Sequence, residues 1–144
     1  MITLTHPSKA SLTLFNNLSS TLPEEAQAVL HITERDGLSD KEQINFLQFC
    51  LNRKSEWYIH WGPDALIWTY KAEAYILSQF PDIMPDEYCF QSLSYDEDSR
   101  LEEILHKFTS LSSPSHDNQA YQDLYIISDH DGTLKSLTNL GYQA

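Results

Sequence analysis

The stretch from residue 64 to residue 80 constrains the fold more than any other. Leu66, Ile67, Tyr70, Ala74, Leu77 and Phe80 recur at helical spacing, and Trp68, Tyr75 and Ile76 extend the apolar coat beyond one stripe. A helix that is apolar on most sides usually lies at the centre of its domain. The expectation is therefore a central helix over residues 64–80, capped by Asp64 behind the Gly62-Pro63 break.

Neighbouring periodicities supply what would pack around it. Leu12, Phe15 and Leu18 predict a helix from Ser8 to Leu18. Thr21-Leu22-Pro23-Glu24-Glu25 starts a second, with Ala26, Val29, Leu30 and Thr33 on one face up to Asp36-Gly37. Ser39-Asp40-Lys41-Glu42 fits a capping box, followed by Ile44, Leu47, Cys50 and Leu51. Asp96 or Asp98 opens another helix, carried by Leu101, Ile104, Leu105, Phe108 and Leu111. Trp57 to Trp61 reads as a short strand or an extended connector, and 81–95 as irregular. Leu124 to Ile127 reads as a strand, Asp129 to Gly132 as a turn and Thr133 to Leu137 as a returning strand. The predicted class is α+β and mainly helical: about five helices around the 64–80 helix, with a small C-terminal antiparallel β-hairpin at 124–137. The 144 residues show no repeat and no boundary, so 1–144 reads as a single domain.

Charge bears on partners rather than on fold. There are 21 acidic and 9 basic residues, a formal net charge of −12. Between 82 and 103 the acids are Asp82, Asp86, Glu87, Asp96, Glu97, Asp98, Glu102 and Glu103, against Arg100 alone. Such a surplus repels nucleic acid and anionic lipid and attracts a basic protein. Cys50 and Cys89 both sit among apolar residues and read as buried thiols, with a single disulfide left open. Residues 1–9 lack a basic leader followed by an apolar run, and no apolar run reaches membrane length, so a soluble cytoplasmic protein is expected.

One motif suggests chemistry. Ile126-Ile127-Ser128-Asp129-His130-Asp131-Gly132-Thr133-Leu134 resembles the first motif of haloacid-dehalogenase-type phosphatases, an apolar strand followed by Asp-x-Asp-Gly-Thr. The resemblance implies Asp129 as phosphoryl-accepting nucleophile and Asp131 as general acid, with magnesium alongside. Only Lys135 to Ala144 follow, too few for a further crossover, and the upstream chain reads without alternating strands and helices. The stretch is therefore taken as a hairpin turn. The same turn lacks the further ligands and flanking helices of a calcium loop. His6, His31, His60, His106, His116 and His130 show no metal-ligand spacing. His60, between Tyr58 and Trp61 in an aromatic run, is the histidine best placed for stacking or a shifted pKa.

No Gly-rich phosphate loop or nucleophile elbow appears, so neither catalysis, cofactor nor metal is expected. The expected function is inhibition or neutralisation of a basic protein, of the immunity or antitoxin kind. The expected contacts are Asp82, Asp86, Glu87, Tyr88, Tyr95, Asp96, Glu97, Asp98, Trp57 and Trp61, acids steering encounter and rings holding the complex. A nucleic-acid mimic blocking a DNA-binding protein is the first alternative, and a metal-dependent hydrolase using Asp129 and Asp131 the second. Oligomeric state is not readable.

Overall fold

The computed structural model describes residues 1–15, 28–33, 57–63, 65–80, 82, 91–112 and 121–144. They form a six-stranded mixed sheet: β1 (Ile2–Leu4), β2 (Ser11–Phe15), β3 (Ala28–Ile32), β4 (Trp57–Trp61), β5 (Gln91–Tyr95) and β6 (Asp123–Ser128). The order across the sheet is β1-β2-β6-β3-β4-β5. β1 pairs antiparallel with β2, and every other neighbouring pair is parallel. The helices among the described residues are α1 (Ala65–Gln79), α2 (Leu101–Thr109), extended by a 3-10 turn at Ser110–Ser112, and α3 (Thr133–Asn139).

This is an α/β fold, and it overturns the expectation of a mainly helical α+β domain. Two segments expected as helices hold strands, β2 and β3. Their apolar residues do face a core, but both faces of an interior parallel strand are covered, so the strand reads as a run rather than an alternation. In β3, Ala28, Val29, Leu30 and Ile32 are all fully buried. Residues 91–95, expected to be irregular, form β5. The hairpin at 124–137 is also absent: β6 is flanked in parallel by β2 and β3, and residues 133–139 are helical. The helix expected after Ser39 lies outside the described residues.

Connections that step across a parallel sheet in opposite directions emerge on opposite faces, because crossovers are right-handed. α1 joins β4 to β5, and α2 carries the chain back from β5 to β6. Two cores result. Leu101, Ile104, Leu105 and Phe108 of α2 pack with Leu12, Leu30, Ile59, Leu124, Ile126 and Leu137. Trp68 and Ala72 of α1 pack on Phe15, Val29, Tyr58, Tyr125 and Ile127. Position alternates along β6, with Leu124 and Ile126 on one face and Tyr125 and Ile127 on the other.

α1 is therefore not the centre of the domain. It covers one face of the sheet, and Leu66, Ile67, Tyr70 and Leu77 are exposed. The central element is β6, fed by β5 and placed between β2 and β3. Backbone bonds between Thr5 and Gln143, at 2.7 and 2.9 Å, tie the chain ends together. No helix among the described residues is long and apolar enough to cross a membrane.

Candidate functional site: an acidic rim at the carboxyl ends of the strands

Five parallel strands end on one edge, and their last residues are stitched together beyond the ladders. The Asp129 amide donates to the Ile32 carbonyl (3.1 Å), Thr33 to Trp61 (3.1 Å) and Gly62 to Tyr95 (3.0 Å). Gly62 is required at this close approach. Its φ is +148°, and a Cβ there would lie 2.2 Å from the Thr33 carbonyl oxygen. The helix leaving β6 lies on the α2 face and the helix leaving β4 on the other, so β6, β3 and β4 span the topological switch where open α/β sheets bind their ligands.

Two acidic loops stand on this rim. After β5, Asp96, Glu97 and Asp98 are all exposed, and Glu102 and Glu103 follow in the first turn of α2. Asp96 does not cap α2, as expected for it or Asp98. Its Oδ1 instead accepts from the Asp98 amide at 3.1 Å, closing the turn, and the helix begins at Leu101. After β6, Asp129 and Asp131 are exposed. The two loops are three strands apart, ~14 Å at the usual strand spacing. Among the described residues the acidic side chains off the rim are Glu73, Asp82 and Asp123, so within this set the carboxylates gather on one edge.

The β6 loop is held from within. Ser128 Oγ and Thr133 Oγ1 lie 2.7 Å apart, and the His130 amide donates to Ser128 Oγ at 3.0 Å. His130 Nδ1 accepts from the Gly132 amide at 2.8 Å, which leaves the proton of the neutral ring on Nε2. Thr33 Oγ1 donates to Asp129 Oδ2 at 2.6 Å, tying that carboxylate to β3. Beside the loop opens a cleft of about 420 Å³, lined by Ile2, Leu14, Ser128, Asp129, His130, Asp131, Thr133 and Leu134.

Trp61 joins the two loops. Its Nε1 donates to the Ser99 carbonyl at 2.9 Å, and its ring meets the His130 ring edge-on at 5.6 Å. It is buried in the α2-side core, so it positions the acidic loops rather than offering a ring to a partner.

Under the rim, on the α1 face, lies a histidine pair. His31 and His60 are register partners, with their Nδ1 atoms 3.2 Å apart. Trp68 stacks on His60 at 4.5 Å and meets His31 edge-on at 5.4 Å. Burial lowers His31 to about 4 against the opposing pull of the Asp129 carboxylate. Burial, reinforced by His31, lowers His60 to about 2. Both rings are therefore neutral at pH 7, and one Nδ1–H donates to the other Nδ1.

The expected contact residues thus fall into separate groups. Asp96, Glu97 and Asp98 stand together on the rim. Asp82 is exposed beyond the far end of α1. Tyr95 is half-buried, with the Lys107 ammonium 5.1 Å from its ring centre. Trp57 is half-buried and packs on the α2-side core. Asp86, Glu87 and Tyr88 lie outside the described residues. Asp129 and Asp131, expected in a hairpin turn, join the acidic surface instead. Reading Leu124 to Ser128 as an interior parallel strand would have placed them there. Comparison with protein-family models, curated proteins and solved structures finds no match to this chain.

Proposed function

We propose that this chain is a non-catalytic binding protein that docks a basic protein partner on its carboxyl-terminal rim, in the manner of an immunity or antitoxin protein. The observation that supports this reading best is the gathering of Asp96, Glu97, Asp98, Glu102, Glu103, Asp129 and Asp131 along one edge, all exposed. Arg100, Lys107 and Lys135 are the bases set near them among the described residues. An edge charged in this way steers a cationic surface towards itself and accelerates encounter. The loops are held by Trp61, Thr33 and the Ser128–Thr133 pair, so a partner meets carboxylates that are already ordered and loses less entropy in fixing them. A cytoplasmic setting is part of the proposal.

The test passes native-host extract over the immobilised protein at low salt. The wild type retains a basic protein, and the variant D96K/E97K/D98K does not. Equal retention by both, or retention of no basic protein, contradicts the reading.

One observation favours a second reading, a hydrolase using Asp129 and Asp131. Both line the cleft at the end of β6, and β4, β5 and β6 alternate with helices α1 and α2. The described residues offer no group of three His, Cys, Asp or Glu side chains that could hold a metal ion, so the second reading lacks a complete ligand set there. Magnesium-dependent release of phosphate from a chromogenic ester, lost in Asp129→Asn, would favour it over the first.

A further inference from the structure

α1 carries two apolar faces, and among the described residues only one of them packs in a core. Trp68 and Ala72 are buried against the sheet. On the outer side Leu66, Tyr70 and Leu77 are 65%, 61% and 64% exposed. At the turn of an α-helix these three lie within ~40° of one another around the axis. Ile67, 46% exposed, stands beside them. The exposed Glu73 stands on the same side, between Tyr70 and Leu77. Scattered exposed apolar residues are ordinary, but several aligned on one side of a helix mark an interaction surface.

We propose that this stripe docks an amphipathic, lysine- or arginine-bearing helix of the partner, with its apolar side on Leu66, Tyr70 and Leu77 and its cations towards the rim. Charge complementarity selects that occupant. α1 begins directly after Gly62-Pro63 at the carboxyl end of β4, so its first turn adjoins the acidic edge. A second copy of this chain would set one charge of −12 against another. A purely apolar segment would gain nothing from the carboxylates. The inference rests on the rim reading and adds the shape of the partner to it.

The experiment uses the full chain and two synthetic peptides of about 18 residues, long enough to hold a helix. Both have the same leucine and lysine composition: one is patterned as an amphipathic helix, the other permuted to destroy the pattern. Binding is followed by fluorescence anisotropy at low and moderate salt. The patterned peptide should bind at least about tenfold more tightly. Tyr70→Glu with Leu77→Glu should erase that preference while leaving the salt-dependent binding of both peptides. Leu66→Ser provides a milder variant if the double change disturbs the circular dichroism spectrum, and it should reduce the preference in the same direction. Equal affinity of the two peptides, or a preference unchanged in these variants, overturns the proposal while leaving the rim reading standing. Self-association of the wild type that Tyr70→Glu with Leu77→Glu abolishes overturns it in favour of a second copy. Binding that D96K/E97K/D98K does not weaken removes the rim reading and the proposal together.

Discussion

Gly62 and the histidine pair show how much of the rim rests on single side chains. A methyl group at residue 62 collides with the Thr33 carbonyl, and the backbone there holds a φ that side chains rarely adopt. Gly62→Ala should therefore cost more than about 2 kcal/mol in urea unfolding, and loosen the Thr33–Asp129 contact. An unfolding midpoint equal to that of the wild type would show that the strand ends are not so closely set. His31 and His60 bear on pH. Their folded pKa values lie below the ordinary 6.5 of the unfolded chain. Above that pH neither state takes a proton. Below it the unfolded chain protonates first, so stability is complete at neutral pH and falls as the pH falls towards 4. The slope should lie between ~1.4 and ~2.7 kcal/mol per pH unit, one to two protons' worth. Replacing both rings by Leu should flatten the curve between pH 6.5 and 4.5, and a variant curve parallel to the wild type would refute the neutral pair.

Among the elements, Trp61 at the end of β4 couples the loops after β5 and β6. Trp61→Phe removes the bond to Ser99 and shrinks a buried ring, a loss of about 2 kcal/mol. The local consequence is more telling than the global one. Amide exchange should quicken in residues 96–99 and 129–131 together, while β3 remains protected. Quickening in one loop alone would show that Trp61 does not bridge them. This coupling was not legible in the chain, because it depends on β4 lying between β3 and β5. Other features were legible. The i, i+3, i+4 pattern located α2, and the run of apolar residues from 64 to 80 located α1. What periodicity could not supply was the side from which each face is covered. α1 was expected at the centre, yet one of its faces is on the outside. β2 and β3 were expected as helices because a short run such as Ala28 to Ile32, buried on both sides, fits either period. The acids at Asp96 to Asp98 were legible as charge, whereas their nearness to Asp129 and Asp131 required the crossover that brings β6 into the middle of the sheet.

At the scale of the whole molecule, net charge and topology act together. A charge of −12 spread evenly would keep the chain soluble and direct nothing. Parallel strands bring their carboxyl-terminal ends to one edge, and this edge carries seven of the ten acidic side chains among the described residues, so that share of the charge acquires a direction. Attraction should therefore depend on where a carboxylate stands and not only on how many there are. Two variants separate these effects: D96K/D98K on the rim, and D82K/D123K away from both the rim and the α1 stripe, with equal net charge. The decisive measurement is the association rate constant of each with the basic protein retained from native-host extract, at low salt. A rim variant at least about tenfold slower than the wild type, beside an off-rim variant within about threefold of it, is the predicted result. Equal slowing of the two, or no slowing of either, would contradict a directed acidic rim.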